Sequence, residues 1–105
     1  MEERLKTMLI IHAHLQVIPA QEEAFLTAAK ALVAASKAEA GNVGYTLLKS
    51  TENEHHYTMV EKWKDAAAVA AHDASAHFQA FVKQAPTFFA APMELEVFAG
   101  EPVKL

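Results

Sequence analysis

Between Val60 and Phe78, reading V-E-K-W-K-D-A-A-A-V-A-A-H-D-A-S-A-H-F, an acid, an indole and two imidazoles fall within 17 residues. Glu61 and Trp63 alternate onto one face of a strand end. Asp65 starts a helix, and His72, Ser75, His77 and Phe78 follow on segments that can fold back on that strand. The grouping describes a partly apolar pocket with a few polar groups. A buried Glu61 needs a partner and has a raised pKa, which suits acid–base work. A hydrogen bond or ion pair near the strand end is its structural alternative. Trp63 reads as core or dimer interface before substrate platform. His72 shares a helix face with Val69 and Ala76 and turns towards the sheet, where its ring nitrogens need partners. A satisfied core histidine and a pocket base both fit that position. His77 falls in the first turn of a second helical segment, where local polar contacts are expected.

His12 and His14 share one face of the first strand. Two imidazoles at i and i+2 can chelate a metal, but no third ligand stands at an obvious spacing and the chain has no Cys. They read as lining a half-exposed sheet face or a pocket, and no metal site is expected. His55 and His56, beside acidic residues, read as solvated turn residues. The glycines Gly41, Gly44 and Gly100 form no phosphate loop, and neither G-x-S-x-G nor HExxH occurs.

Hydrophobic periodicity gives the elements that position these side chains. Met8–Ile18 alternates: Leu9, Ile11, Ala13, Leu15 and Val17 point one way, and Ile10, His12, His14 and Gln16 the other. Pro19-Ala20-Gln21-Glu22-Glu23 opens a helix running to about Ala38, with Phe25, Ala28/Ala29, Leu32 and Ala35 as its buried stripe. Gly41 is available for a left-handed cap. Val43–Ser50 and His55–Trp63 form a hairpin. Asp65 caps a helix to about His72, Ser75 recaps a segment to about Ala85, and Pro86 ends it. Thr87–Ala91 is then a loop or single turn, and Met93–Phe98 a fourth strand. The order β-α-β-β-α-β is the ferredoxin-like split unit, an α+β fold.

The chain of 105 residues is one domain, 1–105, with a charged lead-in at 1–7 and a tail at 100–105. Its composition is 52% hydrophobic but includes 22 alanines, which cover little area. A core this thin is completed by dimerising, so an oligomer is expected. Net charge is −4 and the basic residues do not cluster, which argues against a nucleic-acid partner. No apolar run approaches a membrane span, and Met8–Ile11 is too short for a signal-peptide apolar region. The absence of Cys removes disulfide and thiolate chemistry. A cytoplasmic location is the expectation.

Three patterns carry a family resemblance: Pro19-Ala20-Gln21 at the helix entry; E-x-G-x-x-G-Y from Glu39 to Tyr45; and E-x-W followed by H-x-x-S-x-H-F from Glu61 to Phe78. Their order over Met8 to Phe98 resembles the antibiotic biosynthesis monooxygenase family, closest to its quinol monooxygenase-like members. The resemblance implies a dimeric α+β barrel, with two sheets face to face in a homodimer and a pocket between each sheet and its own helices. It implies oxidation of a small quinol or other electron-rich aromatic by O2, with no metal, flavin or other cofactor. Carried over by position, His72, His12 and His14, with Glu61, would serve catalysis. Tyr45, Trp63, His77, Phe78 and Phe81 would bind substrate. In haem-degrading relatives a histidine ligates iron; ten residues past His72 stands Val82, which cannot. A sister branch isomerises a phosphorylated autoinducer-type sugar derivative. That isomerase reading and a non-catalytic ligand-binding or stress dimer remain the alternatives.

Overall fold

The computed structural model describes residues 7–105. Apart from Thr7, the lead-in read over residues 1–7 lies outside them. In chain order the elements are β1 (Met8–Gln16), a 3-10 turn (Pro19–Gln21), α1 (Glu22–Lys37), β2 (Asn42–Lys49), β3 (His56–Trp63), α2 (Ala66–Asp73), α3 (Ala76–Phe88) and β4 (Glu94–Gly100). The strands form one antiparallel sheet in the order β2-β3-β1-β4. This is the expected ferredoxin-like α+β protomer.

Alternation along the strands decides which face meets the helices. Ala13, Leu15, Tyr45, Tyr57, Met59, Glu61 and Trp63 are buried on the helix side. His12 and His14 alternate with Ala13 and Leu15, so they lie on the opposite, outer face. Helix α1 presses Phe25, Ala29, Leu32 and Ser36 onto the sheet. The fourth buried position is thus Ser36, not the expected Ala35, because α1 follows the 3.6-residue period from Phe25 and Leu32. Phe25 anchors an aromatic cluster, its ring 5.1 Å from Tyr57 and 5.9 Å from both Phe88 and Phe89.

Several local expectations are corrected. Helix α3 runs through Pro86 to Phe88 rather than ending before it. Pro86 removes only the bond to the Val82 carbonyl, in the last turn, and the Phe89 N–H still reaches the Ala85 carbonyl at 3.2 Å. Gly41 has no left-handed conformation. Glycine is required there by close approach: a Cβ would lie 2.3 Å from the Ala68 Cβ. His55, read as a solvated turn residue, adopts φ 62° at the end of the hairpin loop and sets its Nδ1 3.3 Å from the Glu22 carboxylate. No helix among the described residues is long and apolar enough to cross a membrane.

Candidate functional site

The centre of the site is a residue that sequence reasoning did not single out. Glu39 follows α1, its N–H donating to the Ser36 carbonyl at 3.1 Å and its carbonyl accepting the Asn42 N–H at 3.0 Å. Two residues later Gly41 passes against Ala68 in α2, and its carbonyl accepts the Lys64 N–H at 3.0 Å. That close passage sets Glu39 beside the helices. The Asp65 carboxylate caps α2 by accepting the Ala68 N–H at 2.8 Å. Ser75 then joins α2 to α3: its hydroxyl donates to the His72 carbonyl at 2.6 Å and accepts the Phe78 N–H at 3.2 Å.

These constraints aim two imidazoles at one carboxylate oxygen. His72 Nδ1 stands 2.6 Å from Glu39 Oε2, and His77 Nε2 stands 2.8 Å from the same atom. His77 therefore makes a long-range contact rather than the local one expected of a first-turn residue. His72 is 1% exposed. Its ring packs between Trp63 and Phe78, at centroid distances of 4.6 and 4.7 Å, with Tyr45 at 5.5 Å. An ionised carboxylate only accepts, so Nδ1 carries the proton and Nε2 is left as an acceptor. Nε2 is buried and has no hydrogen-bond partner among the described residues.

The carboxylates separate by environment. Burial pushes Glu39 up, but the hydrogen bonds from His72 and His77 outweigh it and hold the carboxyl below its ordinary value. Burial raises Glu61, and the Trp63 Nε1–H, donating to it at 3.0 Å, offsets this only in part. Burial, reinforced by the Glu61 charge, also drives the Tyr45 phenol well above its usual range. The site therefore holds an anionic orienter, an imidazole acceptor and a second carboxyl that burial shifts towards its protonated form.

A cleft of about 460 Å³ opens between α1 and the β2 edge, with Leu26, Val33, Leu47 and Tyr45 among its apolar walls and Lys30, Lys37 and Lys49 also lining it. A smaller cavity of about 200 Å³ between α1 and α3 is lined by His77 and Phe81. His72, Trp63 and Phe78 line neither; of the rings next to His72, Tyr45 at 5.5 Å lines the first and His77 at 6.0 Å the second. The structure thus groups His72, Glu61, Tyr45, Trp63, His77 and Phe78 on the helix side. It does not bring His12 and His14 to them, because alternation turns those side chains to the outer face.

Two sets of side chains have the composition of metal ligands: Glu39 with His72 and His77, and His12 with His14 and Glu96. In the first, Glu39 is committed to two short hydrogen bonds within a closed aromatic shell. Glu39 opens the E-x-G-x-x-G-Y pattern, which was the signal in the sequence that could have found it.

Comparison with known proteins finds relatives that span most of the chain. The profile of the antibiotic biosynthesis monooxygenase family matches residues 8–84. A Bacillus subtilis (strain 168) protein named "Putative monooxygenase YcnE" is 40% identical over 88 residues, covering 84% of this chain and 93% of that protein. The crystal structure of a conserved protein from Methanosarcina mazei Go1 superposes with a TM-score of 0.85 at 25% identity, over 89% of this chain and 92% of that one. A protein described as "Putative antibiotic biosynthesis monooxygenase from Nitrosomonas europaea" shares the fold at TM-score 0.86 and 22% identity, over 94% of this chain and 95% of that one. With a matched profile from β1 into α3 and a relative at 40% identity, the chain belongs to the antibiotic biosynthesis monooxygenase family.

Proposed function

We propose that the protein is a cytoplasmic, cofactor-independent monooxygenase of a small quinol or other electron-rich aromatic, with O2 as co-substrate. The observation that carries this reading is the His72 imidazole. Glu39 fixes it through Nδ1 and leaves Nε2 bare among aromatic rings. Nε2 takes the substrate's phenolic or enolic proton, and the Glu39 carboxylate stabilises the imidazolium that results. The substrate anion then passes electrons to O2 directly. With a quinol, one oxygen atom enters at a ring C–H and the product is the hydroxyquinone; at an activated ring methylene it replaces the two hydrogens as a carbonyl; in either case the second oxygen atom leaves as water. All the electrons come from the substrate. Trp63, Phe78 and Tyr45 supply a dry, polarisable wall. Glu61, which burial shifts towards its protonated form, passes a proton to the reduced oxygen. Substrate enters by the cleft at α1 and β2, and Tyr45 moves aside to admit it to Nε2.

We further propose that the working unit is a homodimer. Strand β4 is an edge with apolar side chains exposed on both faces: Leu95 at 57%, Val97 at 60% and Phe98 at 47%. On the outer face Phe98 is joined by Ile10, Leu48 and Val60, which a second copy would cover.

One observation favours the isomerase reading. Lys30, Lys37 and Lys49 line the cleft, and their charges suit a phosphorylated substrate. An oxygen electrode separates the two readings. Monooxygenation consumes O2 with a quinol panel, and isomerisation of a sugar phosphate proceeds equally without it.

A further inference from the structure

The outer face of the sheet carries a second constellation that the proposed reaction does not use. His12 and His14 stand two apart on β1, and β4 pairs antiparallel beside it with Glu96 directly across from His12. The third ligand missing from the sequence spacing is thus supplied by register, 82 residues from His14. We propose that His12, His14 and Glu96 form a binding site for a divalent transition ion of the Zn²⁺ class.

The geometry is close to what such an ion needs. His14 Nε2 lies 2.6 Å from Glu96 Oε1, and His12 Nδ1 lies 3.9 Å from the same oxygen. All three donor atoms fall within 4.8 Å of one another. Around tetrahedral Zn²⁺, bonds of about 2.0–2.1 Å put neighbouring donors roughly 3.3 Å apart. The 2.6 Å separation must widen and the 3.9 Å one shorten, shifts that small side-chain rotations supply. The outer shell is also in place. His14 Nδ1 is 3.1 Å from Thr58 Oγ1. When an ion replaces the proton on Nε2, that hydroxyl accepts the Nδ1–H, fixing the tautomer and the ring plane. The Phe98 ring stands edge-on to His12 at 5.4 Å and restrains it.

The donor set selects the ion. Two imidazoles favour Zn²⁺, Ni²⁺, Co²⁺ or Cu²⁺ over Ca²⁺ and Mg²⁺, which prefer oxygen. Two His and one carboxylate leave further coordination positions open. A polar cavity of about 230 Å³ adjoins the set, bordered by His14, Thr58, His56 and Glu94, with room for water or a small anionic ligand. The three donors come from one chain and lie across the sheet from His72, on the outer face that the proposed second copy would cover, so the ion would sit at the dimer seam.

The test is a Zn²⁺ titration of the metal-stripped full-length protein in competition with a chromophoric chelator, repeated with Co²⁺ to read its visible absorption. One ion per chain is expected. His14→Ala and Glu96→Gln should each lose at least about tenfold in Zn²⁺ affinity, and Thr58→Val about 10–100-fold. All three positions are on the outer face, so circular dichroism confirms that each variant folds and sedimentation that it keeps the parent's oligomeric state. Glu39→Gln should leave the Zn²⁺ affinity unchanged. Absence of binding by the parent protein, equal affinity in a His12→Ala/His14→Ala double variant, or loss through Glu39→Gln instead would each overturn the assignment.

Discussion

Replacing Glu39 by Ala tests whether one carboxylate holds the site together. The substitution strips the acceptor from two imidazoles at once. His77 is part-exposed, with 29% of its side chain accessible, so water replaces its partner at little cost. His72 has 2% of its side chain accessible, and its Nδ1–H is left buried and unpaired. Such an orphaned donor costs about 1–3 kcal/mol, at the upper end here because the lost acceptor is charged. A loss of about 2–3 kcal/mol is expected, near 10 °C in Tm for a domain of this size. The pH dependence has a definite sign. Glu39 has a lowered folded-state pKa, so its contribution is fully present above its ordinary value of 4.5 and fades as pH falls through the folded value. Urea unfolding of the parent and Glu39→Ala between pH 7 and pH 3 should therefore show a gap that closes below pH 4.5. A gap under about 0.5 kcal/mol at pH 7, the range of ordinary surface changes, would refute the reasoning. So would a gap that widens on acidification.

Gly41→Ala should destabilise by about 1–3 kcal/mol or more, because its Cβ would meet the Ala68 Cβ at 2.3 Å and backbone must give way. Glu39 would move with it, so turnover should fall alongside Tm; an unchanged thermal melt would show that α2 yields freely. Sedimentation at micromolar concentration should report a dimer, and Phe98→Glu on the outer face should shift it towards monomer. A parent protein that sediments as a monomer removes the dimer proposal.

What was legible in the sequence followed periodicity and capping. Alternation in Met8–Ile18 set Ala13 and Leu15 on one face and His12 and His14 on the other, without saying which face is buried, and Asp65 and Ser75 announced two helix starts that their side-chain bonds bear out. Helix period also turned His72 inward. The rest depended on long-range register. Glu39 is far in sequence from both histidines it serves, and only the Gly41–Ala68 passage brings it there. Glu96 meets His12 and His14 through a strand pairing that spacing alone cannot give. The positional transfer that grouped His12 and His14 with His72 overlooked the alternation that separates them by the thickness of the sheet. The helix expected to stop at Pro86 continued because a proline in the last turn forfeits only one bond.

The most direct measurement of the central claim is oxygen uptake with a panel of small quinols, comparing the parent with His72→Ala under air and under argon. The account predicts that one or more quinols drives O2 consumption by the parent, that turnover stops under argon, and that His72→Ala lowers kcat by about 10²–10⁴, the range of a lost general base. Far-UV circular dichroism and sedimentation of the variant should match the parent, placing the loss in chemistry rather than folding. Full turnover by His72→Ala, or product formed equally under argon, would contradict it.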